Sequence, residues 1–223
     1  MNKEIRQTEG IVLKAIPLRD YEQLLTLFTP DAGMVKIIHK EKQKAVYQPL
    51  TKVEFGYREK KGEIFSSCGI YIIDAFPILR TQFSYIECSC DFAHALLTSQ
   101  YLGKEAPLLY QLFDYYLQKI SYVVDPWTLA ASFRLKLLKH EGLAHFPLVC
   151  SSCQTRLIDH LYAFESECWC KIHAQNKALS WDKEEIDNCY FLANCRQYQE
   201  IQNKEISKEN LRKIFLFFDA CFK

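Results

Sequence analysis

Two pairs of side chains suited to metal binding share one spacing in the second half of the chain. Cys150 and Cys153 enclose two serines, and Cys170 and His173 likewise enclose two residues. A Cys-x-x-Cys turn lets two thiolates bind one ion, and a second pair about fifteen to twenty residues later completes a tetrahedral site. Three thiolates and one imidazole suit zinc, and four protein ligands make such a site structural. Cys168 is the alternative third ligand.

The remaining cysteines do not form a second set of this kind. The chain contains ten cysteines, begins with polar and charged residues, and has no apolar run of membrane-spanning length. We therefore expect a cytoplasmic protein whose thiols stay reduced, so that clustered cysteines bind metal and scattered ones are small buried hydrophobes. The cysteines outside the motif are Cys68, Cys88, Cys90, Cys189, Cys195 and Cys221.

Several enzyme classes lack their motifs here. A zinc nucleobase deaminase requires His-x-Glu and Pro-Cys-x-x-Cys, but His140 and Glu141 are adjacent and Pro147 lies three residues before Cys150. Neither a Gly-x-Ser-x-Gly elbow nor a phosphate-binding Gly-x-x-x-x-Gly-Lys loop occurs among only seven glycines. We therefore predict a non-catalytic protein. Incidental cysteines in a turn are the alternative to the zinc interpretation.

A basic segment interleaved with tyrosines lies in the first third of the chain. Residues 36–61 contain eight basic and three acidic residues, although the whole chain has a net charge of only +1. Tyr47 and Tyr57 lie in the same segment and offer stacking surfaces. Lysines beside aromatics on a barrel face suit nucleic acid, whereas a solvated loop and strand face is the alternative. The basic residues are Lys36, Lys40, Lys42, Lys44, Lys52, Arg58, Lys60 and Lys61.

The first 78 residues, which carry this basic segment, have a strand-rich pattern. Short apolar or alternating runs are separated by turns such as Pro30–Gly33 and by the polar tip at 60–63. About five short strands predict a small closed barrel, an architecture that often binds oligonucleotides. The predicted strands cover residues 10–16, 21–29, 34–39, 51–57 and 64–73.

Beyond about residue 78 the apolar residues recur at intervals of three and four, which predicts helices. Pro107 and Asp125-Pro126 are typical helix starts, and Gly103 and Gly142 are typical stops. Residues 148 to about 175, which hold the metal motif, have little periodicity. The predicted helices cover residues 84–101, 107–120, 125–142 and 210–222. The fold class is therefore α+β.

Several motifs, in order, resemble the bacterial RecO recombination-mediator family. The order and spacing of the motifs carry the resemblance, over roughly residues 8 to 175. The N-terminal motifs are Gly10-Ile11-Val12-Leu13, Asp20-Tyr21-Glu22, Leu27-Phe28-Thr29, Gly33, and Lys40 to Lys44. The C-terminal motifs are Phe133 to Leu138, Gly142-Leu143, and Cys150-x-x-Cys153.

The resemblance implies an OB-fold domain over residues 1–78 and a helical domain over 79–223, with a zinc module at about 148–175. It implies binding to single- and double-stranded DNA, annealing of complementary strands, and partnership with RecR and single-strand-binding protein. It also implies loading of the RecA recombinase, which would place the protein at the nucleoid. A zinc-containing RNA-binding module, an uncharacterised metalloenzyme and a pure scaffold are the alternatives.

The resemblance also assigns site residues. Lys40 and Lys44 occupy the family's basic loop, although Glu41 and Gln43 stand where glycine and arginine are common. His173 replaces the usual last cysteine of the metal site. The predicted DNA-binding residues are Arg19, Lys36, Lys40, Lys42 and Lys44. The predicted structural zinc ligands are Cys150, Cys153, Cys170 and His173.

One further set of basic residues lies on the predicted helix over 125–142. Arg134, Lys136 and Lys139 are candidates for contacting the acidic tail of single-strand-binding protein. A solvated helix face is the alternative for these three residues.

Overall fold

A computed structural model divides the chain into two compact units, residues 1–121 and 122–223. Among the described helices, none combines the length and the apolar character that a bilayer crossing requires. The domain boundary near residue 78 stays a prediction. The structure describes residues 5–19, 21–40, 47–58, 62–143, 148–165 and 167–222.

The N-terminal unit is built on a closed five-stranded barrel in the order β1-β2-β3-β5-β4. Neighbouring strands are antiparallel except β3 and β5, whose parallel pairing closes the barrel. The predicted barrel is confirmed, and its non-sequential order is OB-like. The strands are β1 (Ile5–Pro17), β2 (Glu22–Thr29), β3 (Gly33–Lys40), β4 (Lys52–Arg58) and β5 (Ile64–Asp74).

Alternating side chains from the strands fill the barrel. Phe55 stacks on Tyr57 at a centroid distance of 5.6 Å, and Tyr57 stacks on Phe65 at 5.4 Å. This period-two burial agrees with the alternation on which the strand predictions rested. The buried core residues are Val12, Leu25, Leu27, Val35, Ile37, Tyr47, Val53, Phe55, Tyr57 and Ile70.

Two helices of this unit, α1 (Phe83–Ser99) and α2 (Pro107–Lys119), pack against the barrel. Lys52 of β4 binds Asp114 of α2 at 3.0 Å and Glu9 at 3.3 Å. Burial lowers the pKa of Lys52, but the hydrogen bonds and charges of Asp114 and Glu9 together outweigh burial and leave that pKa raised. Lys52 therefore joins strand to helix as a permanent cation.

The C-terminal unit contains four described helices, three of which pack together. Asp125 caps α3 by accepting from the backbone N–H of Trp127 at 3.0 Å, as the sequence predicted. Helix α3 packs against α4 and α6. The helices are α3 (Pro126–His140), α4 (Lys183–Asn194), α5 (Tyr198–Gln202) and α6 (Lys208–Cys221).

A small antiparallel sheet in the same unit was not predicted. Its order is β7-β6-β8, with β6 (His160–Phe164), β7 (Glu167–Trp169) and β8 (Leu179–Asp182). Leu161 and Ala163 of β6 point to the buried side, where Trp181 of β8 meets Phe217 of α6 at 6.1 Å. The alternate residues of β6 are left on the outer side.

The turn between β2 and β3 depends on Gly33. Its φ is +59°, a left-handed conformation that costs residues with a Cβ about 1–2 kcal/mol. A Cβ on Gly33 would also lie 1.8 Å from the carbonyl oxygen of Lys104. Thr29 completes the turn, because its hydroxyl donates to the Gly33 carbonyl at 3.0 Å.

We expect Gly33→Ala to lower the free energy of unfolding by at least about 2 kcal/mol more than Gly103→Ala, because overpacking adds to strain. Gly103 is the matched control, since its φ is +74° and no atom lies within 4 Å of a built Cβ. Urea denaturation of both variants gives the comparison. Equal losses of stability in the two variants would contradict the close approach of Gly33 to the Lys104 carbonyl.

Candidate metal centre and nucleic-acid interface

The first metal-binding pair is held by a tight turn between two short extended segments. The N–H of Gln154 donates to the Cys150 carbonyl at 2.9 Å, and Gln154 adopts a left-handed φ of 59°. An isolated bridge between Val149 and Arg156 closes the segments around the turn. The backbone therefore places the side chains of Cys150 and Cys153 close to one point in space.

The second pair follows β7. The strand ends at Trp169, and the N–H of His173 donates to the Cys170 carbonyl at 3.1 Å in the turn that comes next. A hydrogen bond of 2.8 Å from the Ser151 N–H to the Cys168 carbonyl joins the first turn to β7, the strand that leads into the second turn. The sheet thus brings both pairs together.

The four predicted ligands form one cluster, with all donor atoms within 4.8 Å of one another. Cys153 Sγ lies 3.9 Å from Cys170 Sγ, and His173 Nδ1 lies 3.3 Å from Cys170 Sγ and 3.7 Å from Cys150 Sγ. Ligands at about 2.0–2.3 Å from a tetrahedral ion are separated by about 3.3–3.8 Å. The donor set and spacing therefore fit a metal ion.

Local hydrogen bonds favour the thiolate form in the first pair. Burial raises the pKa of Cys150, but backbone hydrogen bonds from Cys170, Cys153 and Ser152 lower it to about 6. The pKa of Cys153 is lowered mainly by the Thr155 hydroxyl. Because the thiolate is the form that binds metal, both side chains are prepared for coordination.

Cys168 lies outside the cluster. It occupies an inner position of β7 opposite Ala163, with 1% of its surface exposed. Burial, followed by the charge of Cys150, raises the pKa of Cys168 to about 12, which favours the neutral thiol. Of the two alternatives for the third ligand, only Cys170 has its sulfur among the other donors.

A separate candidate interface lies on the outer face of the barrel. Lys14 of β1 pairs in register with Thr26 of β2, which in turn pairs with Lys36 of β3. Strands are about 4.8 Å apart, so the Cα atoms of the two lysines are separated by roughly 10 Å. Among the described residues neither lysine has an ion-pair partner.

These lysines border a groove of about 790 Å³ between the barrel face and α1, which we call the barrel groove. Leu24 of β2 contributes an apolar floor, and His94 lies on the opposite wall. Tyr101 lines the groove with 74% of its surface exposed. The lining combines two cations with one acid, Glu63, and an accessible aromatic ring.

The other predicted DNA-binding residues have different surroundings. Lys40 is exposed at the end of β3 and pairs with Glu22 at 3.0 Å. Arg19 is exposed in the turn before β2. Lys42 and Lys44 lie outside the described residues. DNA binding by all of these residues stays a prediction.

The three basic residues of α3 are already engaged by neighbours in their own unit. Arg134 is buried, pairs with Asp219 at 2.9 Å, and lies over the rings of Phe215 and Phe218 at 4.8 and 4.7 Å. Lys136 donates to the Cys195 carbonyl at 2.5 Å. The exposed Lys139 donates to the Asn194 side chain at 2.6 Å. Their role in partner binding stays a prediction.

Sequence reasoning missed Lys14 and Tyr101. Lys14 lies between buried Leu13 and half-buried Ala15, but the register of β1 shifts just before it, so simple strand alternation did not fix its outward orientation. Tyr101 was included in the apolar pattern of α1, but that helix ends at Ser99. Its exposure therefore depended on where the helix stopped, which the pattern did not fix.

Comparison with known proteins gives matches over almost the whole chain. The family model for the recombination protein O N-terminal region matches residues 1–74, and that for its C-terminal region matches residues 83–223. The chain is similar to a protein named DNA repair protein RecO from Chlamydia pneumoniae, with 28% identity over 95% of this chain and 86% of that protein.

Two further relatives carry the same name. The protein from Chlamydia trachomatis serovar L2 is 23% identical over 86% of this chain and 82% of its own length. That from Clostridium acetobutylicum is 26% identical over 68% of this chain and 64% of its own length. With both regions matched, an OB-like barrel and a helical region beside a cysteine-histidine cluster, the chain belongs to the recombination protein O family.

Proposed function

We propose that this protein is a DNA repair and recombination mediator. It binds single- and double-stranded DNA, anneals complementary strands, and with RecR helps to load RecA onto DNA coated with single-strand-binding protein. The observation that carries this proposal is the in-register pair Lys14 and Lys36 beside the barrel groove. The names of the relatives support it.

The proposed mechanism is electrostatic and has no covalent step. Lys14 and Lys36 neutralise phosphates and release counterions, while Tyr101 offers a ring on which a base stacks. Arg19, exposed in the turn before β2, extends the contact. Lys42 and Lys44, which lie outside the described residues, are proposed to add phosphate contacts. Lys40 contributes less than its exposure suggests, because Glu22 already neutralises it. The protein thus acts as an accessory factor without an active site.

We also propose that the four-donor cluster holds a structural zinc ion. Cys150, Cys153, Cys170 and His173 provide a closed set of soft and imidazole ligands, the combination that suits zinc. With no ligand position left for water, the ion would cross-link the two turns rather than activate a substrate.

The acidic tail of single-strand-binding protein is the proposed partner of the α3 surface. Arg134 supports Phe215, which lines a groove of about 530 Å³ with Trp127 and Leu216. The lining also carries two cations, Lys208 and Arg212, which attract acidic groups. Of its two acids, Asp125 caps α3 and Asp219 pairs with Arg134. In this proposal Arg134 holds the groove in shape, Lys136 holds α3 on the residues after α4, and Lys139 adds exposed charge.

We expect Lys14→Glu with Lys36→Glu to weaken binding of single-stranded DNA by about tenfold or more and to slow annealing. The slope of log affinity against log salt should fall by about 1.4, because two phosphate contacts are lost. Fluorescence anisotropy with a labelled oligonucleotide at several salt concentrations measures both quantities.

Lys177→Glu with Lys183→Glu is the control, since it makes the same change in net charge at exposed lysines of the other unit. An equal loss of DNA affinity in both double variants would show that the effect comes from net charge alone. Tighter binding to RNA than to DNA of the same sequence would favour the RNA-binding alternative. A folded protein that binds neither would favour the scaffold.

For the metal centre, we expect purified wild-type protein to contain about one zinc per chain, and Cys170→Ala to contain almost none. Cys168→Ala should keep its zinc, because its thiol lies outside the cluster. Cys189→Ala, at another buried cysteine, controls for loss of a core thiol. Elemental analysis measures the content. Loss of zinc in Cys168→Ala, with Cys170→Ala still loaded, would reverse the ligand assignment.

For the partner surface, we expect Leu216→Glu to weaken binding of an acidic tail peptide by about tenfold, because it adds a like charge to an apolar wall. Leu148→Glu is the control, because it makes the same substitution at a residue of matched exposure: 43% of the surface of Leu148 is exposed, against 42% for Leu216. Titration of a labelled peptide gives both affinities. Unchanged binding in Leu216→Glu would remove this groove from the proposal.

A further inference from the structure

A second groove, of about 570 Å³, lies beside the metal cluster and is lined in part by Cys170. Its other lining residues take no part in the functions described above. One side is the segment that follows the first turn, another is the outer face of β6, and the third is the second turn itself. We call it the knuckle groove. Its principal lining residues are Arg156, Ile158, Asp159, His160, Tyr162 and Lys171.

The walls of the knuckle groove are fixed by backbone pairing. Arg156 bridges Val149, and the N–H of Leu157 donates to the Leu148 carbonyl at 2.8 Å. Tyr162 belongs to the central strand β6 and pairs with Trp169 on one side and Ser180 on the other. Groups presented by such a frame need little ordering to bind a ligand.

The outer face of β6 carries two neighbouring rings. His160 and Tyr162 alternate with the buried Leu161, so both stand on the groove side, with ring centroids 5.2 Å apart in an edge-to-face arrangement. His160 Nε2 lies 2.8 Å from the hydroxyl of Ser180, which holds the imidazole in place. The sheet therefore offers an anchored aromatic surface.

The charges in the knuckle groove favour an anionic ligand. Arg156 and Lys171 are both exposed, and within the part of the chain that the structure describes neither forms an ion pair. Asp159 is the acid among the lining residues. Arginine contacts phosphate oxygens in a bidentate manner, and lysine acts as a point charge.

We propose that the knuckle groove is a second binding site for single-stranded nucleic acid. Arg156 and Lys171 contact phosphates, and Tyr162 with His160 receives a base. Ile158, whose surface is 62% exposed, supplies apolar contact to the base or sugar. The combination of cations with accessible rings is that of sequence-tolerant single-strand binders, in which stacking adds to phosphate contacts. The inference rests on the DNA binding proposed above and adds a contact in the other unit.

The groove favours a nucleic acid over an acidic peptide. A peptide of acidic residues would use only the two cations and would leave the rings of His160 and Tyr162 without a matching group. A strand with unstacked bases uses both features, because every base presents a face for stacking. The metal cluster fits this role, since it would hold the turn that carries Lys171 next to the segment that carries Arg156.

The test compares two double variants of the full chain, each checked for zinc content and thermal unfolding. Arg156→Ala with Lys171→Ala should weaken binding of labelled oligo-dT by about tenfold and reduce the salt slope by about 1.4. Lys177→Ala with Lys183→Ala removes the same charge from exposed positions outside the groove lining and should leave binding within about twofold. Wild-type protein is also irradiated with an oligonucleotide that carries 4-thiothymine, and cross-linked peptides are sequenced.

A cross-link on the peptide that contains Tyr162, lost in Arg156→Ala with Lys171→Ala, is the expected result. Cross-links confined to the barrel peptides, with unchanged affinity in the groove variant, would overturn this inference and leave the proposed DNA binding intact. Absence of any oligonucleotide binding by the wild-type protein would overturn both. If the groove variant loses only binding to a poly-glutamate peptide, the site takes acidic protein and the nucleic-acid assignment is wrong.

Discussion

The parallel pairing of β3 with β5 is the interaction on which the N-terminal unit depends. Lys36, Ile37 and Ile38 pair with residues 64–66, and this short ladder turns a twisted sheet into a barrel without free edges at that point. Closure buries Ile37 in the core and fixes Lys36 on the outer side. Ile37 and Lys36 cannot exchange these positions, because a register slip of one residue would move every side chain of β3 to the opposite face of the sheet.

A different constraint shapes the C-terminal sheet. Its strands have only three to five residues, so the sheet is too small to form a core alone. The sheet packs on α6 through the contact between Trp181 and Phe217. Its strand β7 is also joined to the first metal-binding turn, because the Ser151 N–H donates to the Cys168 carbonyl. The donor cluster contains residues from both turns, so a bound ion would add a cross-link between them.

The sequence predicted the donors whose spacing is diagnostic and most of the elements whose periodicity is long. Helix α4 was not predicted although it has twelve residues, because two of its buried residues, Glu185 and Asn188, are polar. Five strands and the helices α1, α2, α3 and α6 follow from burial patterns that run over seven residues or more. The small sheet escaped, because three to five residues do not establish a period. The same gap left Cys168 and Cys170 as alternatives: the choice needs the register of β7, which assigns Cys168 to the inner side.

Arg134 illustrates a second limit of sequence reasoning. Its charge suggested a surface residue, yet α3 is buried on several sides by α4 and α6, and Arg134 is enclosed by two phenylalanine rings and Asp219. A guanidinium tolerates this position because its planar faces stack on rings while its edge binds a carboxylate. One-dimensional patterns report the polarity of a residue, whereas its accessibility depends on how many neighbours its helix meets. The exposed cations that remain on each unit, such as Lys14 on the barrel and Arg156 beside the donor cluster, therefore carry more of the argument for nucleic-acid binding than the buried ones.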